Sequence, residues 1–220
     1  LGRYTERLER AARLVRATQA RISRGVVLPR EAAEVSALAR CLAHAGFTGA
    51  EEGSGAAAAQ GLPSVIAAAL REDGAVTQLA ERIAMLTTMV RDRLTADMYA
   101  PFTLTLRTAR AEMQQAGGNL EAISRAMIAV LRFATAVAGV AAESMVRGGA
   151  WLFLDLGRRV ERAQAIASEV GFALDQPPAR IEGGLRLILE LCDSVITYRS
   201  RYLTVLQPAP ALDLVLADPS

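Results

Sequence analysis

The stretch WLFLDLGRRVERAQAIASEVGFA, residues 151–173, shows why this chain is expected to fold as helices. Its apolar residues recur every three or four positions, which is the spacing that lines one face of an α-helix. The members of that stripe are Leu152, Leu156, Ala163, Ile166 and Val170. Glycines precede the stretch at 148–149 and prolines follow it at 177–178, so helix breakers stand at both ends. We therefore predict an amphipathic helix over 151–173.

Helical periodicity extends over nearly the whole chain, and no segment has the alternation of a convincing strand. Thr95 or Asp97 is suited to cap one helix, and Asn119 another. The sequence predicts helices at about 2–24, 30–46, 63–73, 76–94, 97–117, 119–145, 151–173 and 179–206, with a Gly/Ala-rich surface loop at 46–61. Short connections place neighbours antiparallel. The expected fold is an all-α antiparallel bundle of about seven to eight helices, in one domain over 1–220.

Composition restricts the chemistry that this chain can perform. Its 220 residues carry 25 basic and 23 acidic side chains, and every basic one is arginine. The absence of lysine excludes a Schiff-base lysine and the lysine of a phosphate-binding loop. His44 is the only histidine, and Cys41 and Cys192 are far apart, so we expect no metal site and no cofactor. The arginines reflect either a biased genome or a need for planar, forked donors.

The apolar segments favour a cytoplasmic protein with no membrane partner. The first residues, LGRYTERLER, are charged and helical rather than a signal sequence. The most apolar run, Phe133 to Ala142, has ten residues, whereas a membrane helix needs about 20. Residues 207–220, QPAPALDLVLADPS, end on an apolar stretch that lacks an obvious partner. We therefore expect the native protein to continue and this domain to be incomplete at its C-terminal end.

A repeated motif is the strongest feature of the sequence. Residues 1–7 read LGRYTER and residues 156–162 read LGRRVER, which share the pattern L-G-R-x-x-E-R at five of seven positions. Each copy belongs to a long predicted helix. We therefore predict an internal pseudo-repeat, with two related helices in similar surroundings and related by a pseudo-twofold axis.

The spacing within the motif predicts specific contacts. Arginine and glutamate three positions apart share a helix face, so Arg3 is expected to meet Glu6, and Arg158 to meet Glu161. Glycine one turn before the glutamate removes a side chain and lets another backbone approach. Small residues around a glutamate predict close packing over a carboxylate, which needs a cation because an unpaired buried charge is costly.

Two arginines fall where apolar residues are expected. Arg159 lies within the apolar stripe of its helix, and Arg199 lies in the middle of the stripe of the last predicted helix. We predict that both point inward, towards Glu6, Glu161 or Asp155. Two interpretations stay open. The inward groups form either a buried ion network that fixes helix register or a polar pocket that holds an anionic ligand.

The first helix carries many arginines and few acidic residues. The cluster consists of Arg3, Arg7, Arg10, Arg13, Arg16, Arg21 and Arg24. It is either a solvated face with local ion pairs, such as Glu6–Arg10 and Glu9–Arg13, or a docking face for an acidic partner or RNA. Few aromatic residues lie among the arginines, which argues against nucleic acid as the partner.

Four segments, in order along the chain, resemble the bacterial alpha-E domain family, an all-helical family named for its helices and a Glu-Arg motif. They are LGRYTERLERAARLVR at 1–16, VRDRLTADMY at 90–99, WLFLDLGRRVERA at 151–163 and DSVITYRSRY at 193–202. The family's Glu-Arg motifs correspond to Glu6-Arg7 and Glu161-Arg162, and its tyrosine-arginine segment to residues 198–202.

The resemblance implies a context of amide chemistry. Alpha-E domains accompany circularly permuted ATP-grasp proteins and transglutaminase-like peptidases, which implies these partners and a peptide substrate. We expect a non-catalytic helical domain that docks with an ATP-grasp ligase, because the chain has no self-sufficient catalytic constellation.

An alternative is that the domain is itself an acyl-transfer or amide-forming enzyme. Glu161 or Glu6 would then act as general base, and Arg199 or Arg159 would clamp a carboxylate or phosphate. The candidate anion-binding or network residues are Arg3, Arg7, Asp155, Arg158, Arg159, Arg162, Tyr198, Arg199 and Arg201. A third hypothesis is the binding of RNA, such as an aminoacyl-tRNA.

Overall fold

The computed structural model describes residues 1–23, 31–50, 55–202 and 205–217, which form ten α-helices and two short 3-10 helices and include no strand. The α-helices are α1 Gly2–Ile22, α2 Ala32–His44, α3 Gly55–Ala69, α4 Ala75–Met89, α5 Ala96–Ala116, α6 Leu120–Glu143, α7 Gly149–Leu174, α8 Ile181–Leu191, α9 Val195–Tyr202 and α10 Pro208–Leu216. The predicted all-α fold class is confirmed.

Helix α1 lies at the centre of the bundle, in contact with α2, α3, α4, α6, α7 and α8. Twelve of its 21 residues are buried, so it is enclosed on more than the single stripe of an ordinary surface helix. The main core around it includes Leu14 of α1, Leu38 of α2, Ile66 of α3 and Met127 of α6. Because of this central position, the arginine side chains of α1 extend towards neighbouring helices.

The predicted caps at the N-terminal ends of α5 and α6 are present. The Thr95 hydroxyl accepts a hydrogen bond of 3.3 Å from the backbone N–H of Met98. The Asn119 side chain accepts one of 2.9 Å from the backbone N–H of Glu121. Between the helices, Gly117 has a φ of +51°, a conformation that glycine adopts without a steric penalty. The three-residue connection makes α5 and α6 an antiparallel hairpin.

The Gly/Ala-rich segment contains a helix where a surface loop was predicted. Helix α3 begins at Gly55 and includes Pro63, so the expected helix start at 63 is wrong, as is the expected loop over 55–61. Residues 46–50 are non-helical, as predicted. Leu62 and Ile66 of α3 are buried in the main core. Most helical stability in proteins comes from such burial, which here outweighs the weak helix propensity of glycine. Residues 51–54 of the expected loop lie outside the described residues.

The last predicted helix is broken into α8 and α9, and this break together with α10 raises the number of α-helices in the described residues to ten. Asp193 has a φ of +56°, in the left-handed region. The N–H of Ser194 donates to the carbonyl of Leu189 at 2.8 Å, and the N–H of Asp193 donates to that of Glu190 at 3.1 Å. These two bonds form a Schellman motif, which ends α8 and redirects the chain into α9. Glycine usually occupies the left-handed position at the end of a helix. Because aspartate stands there in this chain, the sequence pattern did not indicate the break.

The C-terminal helices build a second, smaller core on α8. Its buried members are Leu185, Leu189, Tyr198, Ala211 and Leu214. The Tyr198 hydroxyl donates to the carbonyl of Val205 at 2.9 Å and accepts from the N–H of Gln207 at 3.0 Å. The apolar residues of α10 therefore have a partner that the sequence did not reveal. Residues 218–220 lie outside the described residues.

Helix α6 is long and apolar enough to cross a membrane by length and composition, with a mean hydropathy of 1.6 over an 18-residue window. It is longer than the ten-residue apolar run seen in the sequence. Its buried residues, among them Ile123, Val130 and Val137, lie in the main core, where α6 contacts α1 and α5. These properties fit the core helix of a soluble protein.

Candidate functional site

The two copies of the repeated motif lie side by side on parallel helices. Near the start of α1, Arg3 donates to Glu161 of α7, with Nε and Oε2 3.0 Å apart. Two turns further along α1, Arg10 donates to Glu169 of α7, with Nε and Oε1 2.6 Å apart. Residue numbers rise together along both helices, so α1 and α7 run in the same direction. This parallel pair joins helices distant in sequence, which connection lengths do not predict.

The glycines of the motif set the closeness of the two helices. A Cβ on Gly2 would lie 2.2 Å from the carbonyl oxygen of Leu154, and one on Gly157 would lie 3.2 Å from the backbone nitrogen of Arg3. A separation of 2.2 Å is far inside van der Waals contact, so the backbones could not remain in place around a side chain at Gly2. The expected close backbone approach at these glycines is confirmed.

Glu6 is held by two arginines of the second motif copy. Arg162 donates to both of its carboxylate oxygens, from Nε to Oε1 at 2.6 Å and from Nη2 to Oε2 at 3.1 Å. Nε of Arg158 lies 3.4 Å from Oε2 of the same carboxylate. Glu6 is only 5% exposed, and its hydrogen bonds raise the pKa of Arg162. This fork-to-carboxylate pair is a strong geometry for an ion pair.

Glu161 is held by two arginines of the first copy in the same way. Arg3 donates to Oε2, and Nε of Arg7 donates to Oε1. Glu161 is 9% exposed. The predicted contacts within each copy, Arg3 with Glu6 and Arg158 with Glu161, are therefore wrong, because the arginines reach across to the neighbouring helix. We call these six charged residues, the two glutamates with Arg3, Arg7, Arg158 and Arg162, the clasp.

The clasp is reciprocal. In each copy the third and seventh positions supply the arginines that bind the glutamate at the sixth position of the other copy. A local twofold axis along a parallel helix pair produces this pattern, so the prediction of two related helices is confirmed at the level of contacts. The first position breaks the symmetry, since Leu1 packs on the main core while Leu156 is exposed.

A further ion pair between α1 and α7 lies about two turns beyond Arg3 and Glu161, and the sequence analysis did not predict it. Arg10 forms a bidentate pair with Glu169, and its Nη1 donates to the carbonyl of Leu191 at 2.8 Å. Burial lowers the pKa of Arg10, although Cys192 opposes the shift. The arginines at positions 3, 7 and 10 have the i, i+4, i+7 spacing of one helix face, and this was the signal that could have found the pair.

Arg21 joins three helices from a buried position. It binds Glu34 of α2 through Nη2 and also donates to Glu190, with Nη2 and Oε2 2.8 Å apart. Burial lowers the pKa of Arg21, but the hydrogen bonds and charges of Glu190 and Glu34 outweigh it, so the pKa is raised overall. Sequence reasoning had placed Arg21 in a cluster facing outward, and that placement is wrong.

The arginines of α1 are therefore not one solvated basic face. Arg13 pairs with Glu9 at 3.0 Å, as predicted, whereas Arg10 pairs with Glu169 and not with Glu6. Arg16 is exposed, and Arg24 lies outside the described residues.

Arg159 was predicted to point inward and does not. Its side chain is 76% exposed and forms a surface pair with Asp155 at 2.6 Å. Helix α7 turns its glutamates, including Glu161, towards α1, so its apolar stripe with Leu152 and Leu156 faces outward. The prediction that the hydrophobic stripe of α7 faces the core is wrong. Ion pairs and glycine contacts with α1 determine instead which side of α7 is buried.

The tyrosine-arginine segment is not part of the site. Tyr198 lies in the second core, while Arg199 and Arg201 are exposed on α9. The predicted inward position of Arg199 assumed one unbroken helix. The break at Asp193 shifts the helical phase by enough to bury Tyr198 in its place.

Both glutamates proposed as general bases have their oxygens engaged by arginines. A general base needs a lone pair directed at the substrate. Within the described ranges, no three His, Cys, Asp or Glu side chains are grouped as metal ligands.

The Alpha-E family, described as a predicted alpha-helical domain with a conserved ER motif, matches residues 1–220. An uncharacterised protein of Mycobacterium tuberculosis and another of Mycobacterium bovis are each 28% identical to this chain over 235 residues. Those matches cover 99% of this chain and 26% of each relative, so the chain spans about a quarter of their length. No solved structure matches the chain. From the family match over its whole length, the chain belongs to the Alpha-E family.

Proposed function

We propose that this domain is a non-catalytic helical scaffold in the bacterial cytoplasm, which works with an ATP-grasp enzyme that forms amide bonds. The observation that carries the proposal is that both carboxylate oxygens of Glu6 and of Glu161 accept hydrogen bonds from arginines of the opposite motif copy. A clasp of this kind fixes the register of two helices and leaves neither carboxylate free to take a proton from a substrate.

The partner is proposed from the family resemblance. ATP-grasp enzymes activate a carboxylate as an acyl phosphate and pass it to an amine, and a transglutaminase-like peptidase is the second expected partner. The scaffold would keep a peptide substrate close to that chemistry. Peptide modification is accordingly the process in which we place the domain.

A scaffold needs a surface for its partner, and the outward stripe of α7 offers one. Its exposed apolar residues are Leu152, Phe153, Leu156 and Val160. Phe153 is 78% exposed, and the other three residues repeat at four-residue intervals on one helix face. A contiguous exposed apolar row of this kind is typical of an interaction site. We assign this row to the ATP-grasp partner.

The enzyme hypothesis has less support. It required Arg159 or Arg199 beside Glu161, but both arginines are exposed, Arg159 on the outward side of α7 and Arg199 on α9. RNA binding also has less support, because most of the α1 arginines on which it rested are engaged by glutamates.

Native co-purification tests the scaffold proposal. The tagged chain is expressed with the circularly permuted ATP-grasp protein of the same genome, and a stable complex is expected. Leu156→Glu should abolish the complex, because a carboxylate would be desolvated in the interface. The control is Ile196→Glu, which changes an even more exposed apolar residue on α9.

Absence of a complex with the wild-type chain, or loss of the complex with both variants, contradicts the proposal. Glu161→Gln separates the scaffold from the enzyme. A scaffold loses thermal stability, whereas an enzyme loses product formation at an unchanged melting temperature.

A further inference from the structure

A groove of about 950 Å³ lies beside the clasp and is not explained by it. Helices α1, α2, α4 and α7 enclose it. A volume of this size is at the upper end of small-molecule sites and leaves room for a short peptide.

The groove has an excess of positive charge next to it. In the clasp, two carboxylates face four guanidinium groups, so two positive charges are not balanced there. The neighbouring Arg10–Glu169 pair is neutral, and Arg82 on α4 adds one more positive charge. An ion network whose only role is structural does not require this excess, whereas a site for an anion does.

Arg82 and Arg7 are the donors available to a ligand. Each guanidinium carbon lies 5.8 Å from the centre of the Tyr4 ring, so one ring holds both side chains at the groove. Arg82 forms no ion pair with any described residue. Arg7 uses Nε for Glu161, and its terminal nitrogens have no hydrogen-bond partner in the described parts of the chain. Both arginines line the groove, and each guanidinium is a forked donor suited to bind a carboxylate.

The remaining walls indicate what the carboxylate is attached to. Leu14 and Phe172 give the groove an apolar part, which suits aliphatic side chains. Glu6, Glu161 and Glu169 also line it, so the groove lacks the unbroken positive track that a nucleic-acid backbone follows. We infer that the groove binds an acidic peptide segment, with one carboxylate between Arg7 and Arg82 and an apolar side chain towards Phe172.

This inference deepens the proposed function, since it supplies the scaffold with a peptide site, but it is tested on the chain alone. A failure of peptide binding and a failure of co-purification can therefore be told apart. The probe is a fluorescein-labelled hexapeptide of alternating glutamate and leucine with an amidated C-terminus, and binding is measured by fluorescence anisotropy.

Arg82→Gln should weaken binding about tenfold, because a hydrogen bond to a charged group is lost. Arg82 is exposed and forms no described ion pair, so the variant should keep the wild-type melting temperature. The control is Arg91→Gln. Arg91 is also exposed and also lies over a tyrosine, Tyr99, at 4.4 Å, but it is outside the groove. The control should bind the probe as the wild type does.

Two further ligands identify the source of the carboxylate. A glutamine-for-glutamate peptide with a free C-terminus binds if the terminal carboxylate is the anchor, and its amidated form should not bind. Either carboxylate source, with weakening by Arg82→Gln, supports the inference. Equal weakening by both arginine variants, no binding of any carboxylate peptide, or tighter binding of a 12-nucleotide RNA would overturn it.

Discussion

The Glu6 carboxylate of α1 accepts a hydrogen bond of 2.6 Å from Nε of Arg162 in α7, which lies 156 residues further along the chain. The opposite pairing, Glu161 with Arg3 and Arg7, closes the clasp from the other side. The two Glu-Arg motifs therefore act on each other and join α7 to α1, the central helix of the bundle.

The glycines of the motif should be sensitive to the smallest side chain. Gly2→Ala would place its Cβ 2.2 Å from the Leu154 carbonyl, so the helices must separate, and we expect a loss of about 1–3 kcal/mol. Gly139→Ala is the matched control, because Gly139 is an exposed position of α6 at which a Cβ would meet nothing within 4 Å. It should gain about 0.5–1 kcal/mol. Urea unfolding measures both, and a stabilising Gly2→Ala would contradict the close approach.

Replacing only one member of the buried Arg21–Glu34 pair should strongly reduce the free energy of unfolding. Arg21→Met leaves the Glu34 carboxylate, whose side chain is 3% exposed, without its cation, and we expect a loss of about 3 kcal/mol in urea unfolding. Adding Glu34→Leu should recover most of that loss. Arg159→Met, which removes an exposed pair, should change stability by less than about 1 kcal/mol. Equal effects of the two arginine variants would show that Arg21 is not buried as described.

Replacing Asp193 with glycine should raise the stability of the domain. Its φ of +56° favours a residue without a Cβ, so Asp193→Gly should stabilise the domain by about 0.5–1 kcal/mol. The ion pair lost with Arg13 is long, at 3.5 Å, and lies on an exposed side chain, so it contributes little. Thermal unfolding checks this, with Asp193→Ala as the control that keeps the Cβ. A lower melting temperature for the glycine variant than for the alanine variant would disprove the left-handed assignment.

Cys41 should make stability fall at high pH. Burial raises the pKa of its thiol from 9.0 to about 12, so the folded protein keeps a proton that the unfolded chain releases. The stabilising contribution is complete below pH 9 and is lost as the pH rises towards 12. Cys41→Ala should therefore flatten the decline of melting temperature between pH 9 and pH 11. Parallel declines for the variant and the wild type would show that another group is responsible.

Local features of the sequence located most of the helices correctly. Asn119 and Thr95 cap helices, and the glycines near 117 end one, because each of these acts on the backbone within a few residues. The break at Asp193 was missed because aspartate rarely takes the place of glycine there. Helix α3 was missed because its stability comes from Leu62 and Ile66 in the core, which composition does not show.

The site could be predicted only in part. The repeat identified Glu6 and Glu161 as enclosed carboxylates that need arginines, and the structure confirms that requirement. The partners were assigned to the wrong helix, because residues three apart can pair within a helix or reach across to another. Arg159 was misplaced because a hydrophobic stripe was assumed to face inward, whereas α7 buries its charged side against α1.

A double-mutant cycle between Glu6 and Arg162 tests the clasp most directly. The free energy of unfolding is measured by urea denaturation for the wild type, Glu6→Gln, Arg162→Met and the double variant. We predict that the two residues are coupled by about 1 kcal/mol or more, because each loses its partner when the other is replaced. Effects that add to within about 0.3 kcal/mol would contradict the claim that the two motifs hold α1 and α7 together.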